Sequence, residues 1–369
     1  MKVICPRESL LSAAQLVGSA IGTREIKPIL RNIKAVADKN HLVLIATDLE
    51  VGIRHELRGL KVEDTGEAIL PAARLLAILR EATDVDVTIE ADESRVLVRG
   101  AVNEYEMASE NPTEFPDFPT FSDSKYYEVS VGALRTMIQR TVFAAAKESG
   151  KFAMTGVLWE VEGKHLRLVA TDSKRLALAI GLVTGHDAGD TKGQSHLVPS
   201  KAMSLLERHL QSLADDATVK VALRTNEVLF QTDTTTVYSR LVEGRYPPYR
   251  EIIPKKVHVK VPLPVQPFLT AIRQAAIMTD DETKRVSFKF SDNLLVLQAQ
   301  GPTAGRSKVP LSIDYGGDAI EIFFDPQYVM EMLRVLDESA NLELDLVDPS
   351  RPALFKSGSD YSYLVMPLT

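Results

Sequence analysis

One pattern recurs three times along this 369-residue chain. Each third carries two amphipathic helix patterns, and the second of each pair begins at or beside a proline, at Pro71, Pro199 and Pro326. These prolines lie 128 and 127 residues apart. Proline suits the first helical turn, where its missing N–H would have no intrahelical partner. A repeat of this length is far longer than a solenoid unit and therefore indicates duplicated domains.

The repeat predicts an α+β fold. The first helix of each pair is predicted at 9–21, 133–146 and 267–278, and the second at 70–80, 198–210 and 324–336. Between and after the helices, alternating or continuous apolar runs predict strands, about eight per unit. Such units pack helices on one side of antiparallel sheets. Proline-rich joins at 110–119 and 245–256 divide the chain into predicted domains 1–121, 122–256 and 257–369.

The composition is that of a globular cytoplasmic protein. Apolar residues make up 45% and charged residues 25% of the chain, and no apolar run approaches the ~18 residues of a membrane span. The segment before Arg7 is too short for a signal peptide. Cys5 is the single cysteine, so no intrachain disulfide forms, as expected in a reducing compartment. We expect Cys5 to be a core residue rather than a reactive thiol.

Positive charge is concentrated on the predicted helices. Within the six helix ranges eight side chains are basic and three are acidic, although the chain carries a net charge of −7. Either these are ordinary solvated charges on helices, or the helix layer faces a polyanion such as nucleic acid. The sequence has no helix-turn-helix, zinc finger or RNA-recognition signature. Any nucleic acid would therefore be bound through its phosphates and shape, independently of base sequence.

The sequence offers little support for catalysis. Its seven histidines lack metal-ligand spacing, and it has neither a phosphate-binding loop nor a nucleophile elbow, so we expect no cofactor and no metal. The pairs Thr47-Asp48 and Thr171-Asp172, 124 residues apart, each follow a predicted strand. They are interpreted as turns in which the aspartate binds backbone N–H groups. One alternative is a metal nuclease or phosphohydrolase that uses Asp48 and Asp172; another is a repeat protein with a purely structural role.

Six sequence segments carry a resemblance to a known family: K-P-I-L-R-N-I (27–33), A-T-D-L-E (46–50), T-G-V-L-W-E (155–160), V-A-T-D-S-K-R-L-A-L (169–178), L-V-E-G-R-Y-P-P-Y-R-E-I-I-P (241–254) and Y-L-V-M-P-L-T (363–369). Along its whole length the chain resembles the bacterial sliding clamps, the beta subunits of DNA polymerase III. The resemblance implies a processivity factor without catalytic activity, a head-to-tail homodimer whose ring encloses duplex DNA. It also implies partners that bind through short linear peptides: the polymerase III alpha subunit, the clamp loader, other polymerases and repair proteins.

The resemblance implies a peptide-binding pocket between the second and third domains. The matching residues are Met154, Thr171, Lys174, Arg175, Leu176, Pro247, Ile252, Tyr328, Leu364, Val365, Met366, Pro367 and Leu368. Methionine and aliphatic side chains suit a groove that accepts several related peptides. For Leu176 and Leu364, an ordinary core position is the competing interpretation. Ser173 and Lys174 replace the Gly-His often found in this motif, and Glu251 stands where a basic residue is common.

The resemblance also implies a DNA-contacting surface and a dimer seam. Arg24 matches a DNA-touching position, and charge and helix placement add Arg74, Arg80, Lys147, Lys151 and Lys201. Each of these is otherwise a solvated surface charge. The seam would join Tyr105 and Met107, on an edge strand, to Ile277 and Met278 at a helix end of the neighbouring subunit.

Overall fold

The computed structural model describes residues 1–22, 27–92, 94–147, 153–186, 196–254, 257–279, 284–301 and 304–368. Within these ranges the chain forms seven α-helices and 26 strands. It divides into two compact units. The first comprises Met1–Gly132, Thr184–Gly189 and Lys201–Leu241, and the second comprises Ala133–Val183, Asp190–Ser200 and Val242–Thr369. The middle third of the chain is thus divided between the units, and the three domain boundaries stay a prediction.

The six predicted helices are present, together with one short helix that the sequence pattern did not predict. The helices are α1 (Arg7–Gly18), α2 (Ala72–Glu81), α3 (Val131–Gln139), α4 (Ser200–Leu210), the short α5 (Tyr249–Ile252), α6 (Val265–Ala276) and α7 (Pro326–Leu333). Pro71 directly precedes α2 and Pro326 opens α7, where the side chain of Asp325 accepts a hydrogen bond from the amide of Gln327 at 2.9 Å. Proline and an N-cap aspartate therefore define these helix starts.

The strands follow one another closely along the chain. The first third contains β1 (Lys2–Pro6), β2 (Asn32–Asp38), β3 (His41–Thr47), β4 (Val51–Leu57), β5 (Lys61–Asp64), β6 (Gly66–Pro71), β7 (Asp86–Ala91), β8 (Arg95–Arg99) and β9 (Glu104–Ala108). The middle third contains β10 (Tyr126–Ser130), β11 (Gly156–Glu162), β12 (His165–Thr171), β13 (Arg175–Leu182), β14 (Thr184–His186), β15 (His196–Pro199), β16 (Thr218–Leu223), β17 (Glu227–Gln231) and β18 (Thr235–Arg240). The last third contains β19 (Val259–Pro264), β20 (Val286–Ser291), β21 (Leu294–Gly301), β22 (Gly305–Ser312), β23 (Ile320–Phe324), β24 (Asn341–Leu346), β25 (Ala353–Ser357) and β26 (Tyr361–Val365).

The first unit contains two antiparallel sheets. One has five strands in the order β5-β1-β7-β8-β9, and the other has nine in the order β14-β10-β16-β17-β18-β4-β3-β2-β6. Helix α1 packs against α2, β3 and β4, burying Leu10, Ala14 and Val17. Strand β4 pairs with β18, so the nine-stranded sheet combines strands from the first and middle thirds. The predicted α+β class, with helices on antiparallel sheets, is confirmed.

The second unit repeats this design. Its eight-stranded sheet has the order β15-β11-β12-β13-β26-β25-β24-β19, and its four-stranded sheet has the order β22-β21-β20-β23. Helix α6 packs against α7, β21 and β22. Phe268 of α6 meets Phe288 of β20 edge-on, with 6.2 Å between ring centroids. Burying each such ring contributes about 1.5–3 kcal/mol. Strand β13 pairs with β26, so the eight-stranded sheet combines the middle and last thirds.

Cys5 is a core residue, as the sequence indicates. It lies on β1 with no exposed surface. Burial raises the pKa of its thiol to about 12, so the thiolate that reacts with oxidants and electrophiles is scarcely populated. Within the described ranges, no helix is long and apolar enough to cross a membrane.

The buried histidine of α4 makes the first unit sensitive to acid. Burial, and secondarily His55, lowers the pKa of His209 from 6.5 to about 4, and its Nε2 lies 3.1 Å from Thr232 Oγ1. Because the unfolded chain binds this proton more readily, stability is lost as pH falls from 6.5 towards 4. We expect a loss of about 2 kcal/mol at pH 5 relative to pH 7 from this group.

Urea unfolding of the wild type and His209→Gln at the two pH values measures this effect. The variant should lose much of the difference between pH 7 and pH 5, whereas His165→Gln, at an exposed strand position, should keep it. An unchanged pH dependence in His209→Gln would contradict the assignment.

Candidate functional site

The first Thr-Asp pair is a turn closed by its own side chains. Thr47 Oγ1 donates to the carbonyl of Val51 and accepts from the amide of Leu49, each at 2.9 Å. Asp48 Oδ1 accepts from the amides of Glu50 at 2.9 Å and Val51 at 2.7 Å. Leu49 adopts a φ of 77°, in the left-handed region. These bonds commit the hydroxyl and one carboxylate oxygen to the backbone, as the sequence predicted.

The second Thr-Asp pair repeats the same bonds. Thr171 Oγ1 donates to the carbonyl of Arg175 at 2.6 Å and accepts from the amide of Ser173 at 3.1 Å. Asp172 Oδ1 accepts from the amides of Lys174 at 2.9 Å and Arg175 at 3.1 Å. Ser173 again has a φ of 77°. The turn is therefore one duplicated structural element.

The two copies differ in the cation that meets the second carboxylate oxygen. In the first copy, Lys201 of α4 donates to Asp48 Oδ2. In the second copy, the residue that follows the turn is itself the cation, because Arg175 stands where the first copy has Val51. Its Nε donates to Asp172 Oδ2 at 3.1 Å. The second turn thus introduces a guanidinium that the first one lacks.

Arg175 organises a polar cluster beneath the surface of the second unit. Only 6% of the residue is exposed. It forms ion pairs with Asp172 and Glu331, donates to the carbonyl of Phe143 at 2.9 Å and lies 4.6 Å from the ring centroid of Tyr328. Burial alone would raise the pKa of Glu331, but the hydrogen bond from Arg175 holds it below its ordinary value. The guanidinium is thus held by two carboxylates and an aromatic face.

The C-terminal strand lies directly beside this cluster. Strand β26 pairs with β13 so that Leu364 opposes Leu176 and Val365 opposes Arg175. The amide of Met366 donates to the carbonyl of Lys174 at 2.8 Å, which extends the pairing by one residue. The register therefore places three of the predicted residues of the middle third, Lys174, Arg175 and Leu176, next to Met366, Val365 and Leu364 of the last third.

A buried apolar cluster supports the paired strands. It contains Leu158, Val169, Leu176, Leu178, Leu197, Tyr246, Tyr249, Leu354 and Leu364. Tyr246 Oη donates to the carbonyl of Val169 at 3.1 Å, which fastens the segment before α5 onto the sheet. Leu176 and Leu364 are each only 2% exposed. Together with the buried Thr171 and Val365, they are the predicted pocket residues that lie in the core.

Eight of the other predicted pocket residues are partly or fully exposed. Met366 is 40% exposed and Ile252 is 42% exposed, and Lys174 is exposed. We refer to these eight residues as the C-terminal surface: Met154, Lys174, Pro247, Ile252, Tyr328, Met366, Pro367 and Leu368. Leu368 is held by a hydrogen bond from its amide to the carbonyl of Phe323 at 2.8 Å. Methionine and proline at the surface suit a groove that adapts to more than one peptide.

Sequence reasoning missed two members of the polar cluster. Glu331 lies 156 residues from Arg175 along the chain, and Phe143 contributes a backbone carbonyl that no motif would reveal. For Glu331 one signal existed: it follows Tyr328 by three residues on α7, which places both on one helix face.

The structure describes four of the six predicted DNA-contacting residues. Arg74 and Arg80 are exposed on α2, in the first unit. Lys201 is 46% exposed but paired with Asp48, a contact the sequence did not predict. Lys147 is exposed in the second unit. Arg24 and Lys151 lie outside the described residues.

The predicted seam residues lie near the edges of two sheets. Tyr105, which is 38% exposed, and Met107, only 4% exposed, lie on β9 at the edge of the five-stranded sheet. Ile277 is 70% exposed at the end of α6, and the sulfur of Met278 lies close to Gly305 of β22. Strand β22 is itself an edge of the four-stranded sheet. Met107 thus offers little surface in the single subunit, whereas Tyr105 and Ile277 are available.

Neither turn aspartate belongs to a metal-binding group. Among the described residues, no three His, Cys, Asp or Glu side chains come together in a way that could hold a metal ion. Asp48 and Asp172 each bind backbone amides through one oxygen and a cation through the other. The chain thus combines duplicated α+β units with partly exposed apolar residues and a buried arginine. This combination is typical of proteins that bind other macromolecules.

Comparison with known proteins identifies the family. The N-terminal, central and C-terminal domains of the DNA polymerase III beta subunit match residues 1–119, 128–248 and 250–369. The beta sliding clamp of Pseudomonas aeruginosa is 29% identical over 367 residues, covering 98% of each chain, and that of Vibrio cholerae is 27% identical over 373 residues, covering 100% of each.

Solved structures share the fold. A Pseudomonas aeruginosa sliding clamp bound to griselimycin is 27% identical with a TM-score of 0.92, covering 100% of this chain and 99% of that chain. The Bacillus subtilis sliding clamp has a TM-score of 0.93 at 24% identity, covering 100% and 99%. The chain belongs to the DNA polymerase III beta subunit family. It is therefore a sliding clamp, a non-catalytic processivity subunit, and the nuclease alternative is wrong.

Proposed function

We propose that two copies of this chain close head-to-tail into a ring around duplex DNA in the cytoplasm, and that the C-terminal surface tethers partner proteins to it. The partners are the polymerase III alpha subunit, the clamp loader, and other polymerases and repair proteins, each carrying a short linear peptide. The proposal assigns the steps of the family's processivity role to specific residues of this chain.

The pairing of β26 with β13 is the observation that carries the tethering role. It brings Met366 beside Lys174 and Val365 opposite Arg175. Apolar side chains at the surface supply contact area, and the polar rim fixes the orientation of a bound segment. The first copy of the turn lacks the arginine, which supports one docking site per subunit rather than two.

Two edge strands support the ring. Strand β9 exposes Glu104 and Glu106, which form ion pairs with Arg99 and Arg95 of β8, and β22 exposes Arg306 and Lys308. An edge strand presents unpaired N–H and C=O groups that another chain can satisfy. Joining β9 of one subunit to β22 of the next gives a head-to-tail contact. Two such contacts close a two-subunit ring when the subunits are related by a rotation of half a turn.

The DNA role rests on exposed cations of the helix layer. Arg74 and Arg80 are exposed on α2 and form no ion pair within the described part of the chain. Phosphate contacts of this kind are salt-dependent and carry no sequence information. A closed ring needs only such weak contacts, because topology rather than affinity keeps it on DNA.

Retention on circular and linear DNA tests the proposed ring. The protein is loaded onto a nicked plasmid by the clamp loader with ATP, and bound protein is separated by gel filtration in high salt. We expect the protein to stay bound to the circular plasmid. The amount of bound protein should fall at least tenfold after one restriction cut. Blocking the cut ends with biotin and streptavidin should restore retention. Equal retention on circular and open linear DNA would contradict the ring.

A further inference from the structure

A polar cavity lies on the four-stranded sheet of the second unit. Its volume is about 470 Å³, within the range of roughly 300–1,000 Å³ that small-molecule sites occupy. All four strands contribute to its lining, with Ser287 on β20, Gln298 on β21, Arg306 on β22 and Phe323 on β23. None of the described lining residues belongs to the C-terminal surface.

Side-chain alternation explains why this face of the sheet is polar. On β20, Phe288 contacts Phe268 of α6, and on β22 the Oγ of Ser307 donates to the carbonyl of Ala275 of α6 at 2.8 Å. Successive side chains of a strand point to opposite faces of the sheet. Arg306, next to Ser307, is therefore directed away from α6 and lines the cavity.

Strand register determines which polar groups of the cavity lie side by side. Ser287 lies opposite Gln298 of β21 on one side and opposite Phe323 of β23 on the other. Gln300 of β21 lies opposite Arg306 of β22. Each glutamine carboxamide offers two N–H donors and a carbonyl acceptor. The register thus surrounds the cavity with neutral hydrogen-bonding groups as well as a guanidinium.

Two arginines supply the uncommitted charge of the cavity. Arg285, directly before β20, and Arg306 are both exposed, and neither forms an ion pair within the described ranges. The guanidinium of Arg285 lies 3.5 Å from the ring centroid of Phe323. Stacking on an aromatic face orients a guanidinium and leaves the N–H donors in its plane available to an anion.

Glu321 is the acid among the described lining residues, and its charge is already matched. The Oγ of Ser287 donates to Glu321 Oε1 at 2.6 Å, and Lys289 forms an ion pair with the same oxygen at 3.3 Å. The hydrogen bond from Ser287 is the main reason that the pKa of Glu321 lies below its ordinary value. Lys289 therefore balances an ionised Glu321, and the two arginine charges are left for a ligand.

We propose that this cavity binds a small ligand that carries two or more linked phosphate groups. Guanidinium groups match phosphate oxygens through paired N–H donors, and two of them suit two phosphates better than one carboxylate. The cavity is also much larger than a single phosphate group, and its glutamines can bind oxygen or nitrogen atoms in the rest of the ligand. Two sources share this chemistry, inorganic polyphosphate and the nucleoside triphosphates. The site is separate from the DNA and peptide contacts proposed above.

Isothermal titration calorimetry of the full-length protein tests the proposal with three probes: sodium tripolyphosphate, ATP and GTP. Divalent cations are left out because they compete for phosphate oxygens. We expect saturable binding to the wild type and binding weaker by roughly tenfold or more in Arg285→Gln/Arg306→Gln, which removes charge-assisted hydrogen bonds. Arg273→Gln/Arg334→Gln is the matched control, because it removes two exposed arginines from the helix layer of the same unit. It should bind within about twofold of the wild type, since its charges lie outside the cavity.

A second variant keeps both arginines. Gln300→Glu places an acid opposite Arg306 at an exposed position, so the fold should be retained, as urea unfolding would check, while binding weakens. Comparison of the probes then identifies the source of the phosphates. Equal affinity for all three assigns inorganic polyphosphate, whereas tighter binding of ATP or GTP than of tripolyphosphate assigns a nucleotide.

Three results would overturn the proposal. The first is the absence of saturable binding of any probe to the wild type. The second is an equal loss of affinity in the cavity variant and the matched control, which would show general attraction to positive charge. The third is displacement of the probe by a partner peptide with unchanged affinity in the cavity variant. This last result would place the anion on the C-terminal surface, which the carbonyl of Phe323 contacts through the amide of Leu368.

Discussion

Replacing Arg175 with alanine is expected to lower the free energy of unfolding by about 3 kcal/mol, because it leaves two partly buried carboxylates without their cation. Asp172 and Glu331 both form ion pairs with the guanidinium, and the carbonyl of Phe143 loses its donor. The pKa of Glu331, now held down by Arg175 against the effect of burial, should rise in the variant. Urea unfolding at pH 7 measures the change in stability.

Arg167→Ala is the matched control. Arg167 pairs with Glu162 at 2.9 Å, but their side chains are 24% and 45% exposed, so we expect a loss within about 1 kcal/mol. A loss of similar size in both variants would contradict the special role of Arg175. The double variant Arg175→Met/Glu331→Gln removes both charges together and should recover part of the stability, since no carboxylate of α7 is then left unpaired.

The features predicted from sequence are those fixed by short stretches of chain. The helix pairs were predicted because proline and amphipathic spacing are local signals, and α2 and α7 begin within two residues of their prediction. The Thr-Asp turn was predicted because the aspartate binds amides only two and three residues away. Its duplication could be recognised for the same reason.

The features that were not predicted depend on contacts distant in sequence. The pairing of β4 with β18 joins strands of the first and middle thirds into one nine-stranded sheet. The alternation of apolar residues within a strand does not indicate which other strand will pair with it. Lys201 and Asp48, 153 residues apart, form an ion pair where the sequence suggested an uncommitted DNA-binding charge. Side chains alternate between the two faces of β9, and Met107 lies on the buried face. Its apolar character in the sequence therefore fits a core residue as well as a seam residue.

The proposed seam gives the second large effect, because Ile277 is both exposed and apolar. Its exposed fraction is 70% in the single subunit, so an aspartate there leaves the core intact. In the proposed head-to-tail ring the same position faces the β9 edge, where Glu104 and Glu106 pair with Arg99 and Arg95 of β8. An acid at residue 277 therefore removes apolar contact and adds a charge that loses its hydration at each of the two seams.

We expect Ile277→Asp to weaken dimerisation by about 2 kcal/mol per seam, which over two seams is roughly a thousandfold in the dissociation constant. Sedimentation velocity at micromolar protein should show mainly monomer, and retention on circular plasmid should be lost. Leu182→Asp is the control, because Leu182 is 68% exposed at the end of β13 and is not one of the proposed seam residues. Both variants should still bind a partner peptide, since the C-terminal surface lies within one subunit. A dimer of undiminished stability in Ile277→Asp would place the seam elsewhere, whereas dissociation by Leu182→Asp as well would show that any exposed acid has this effect.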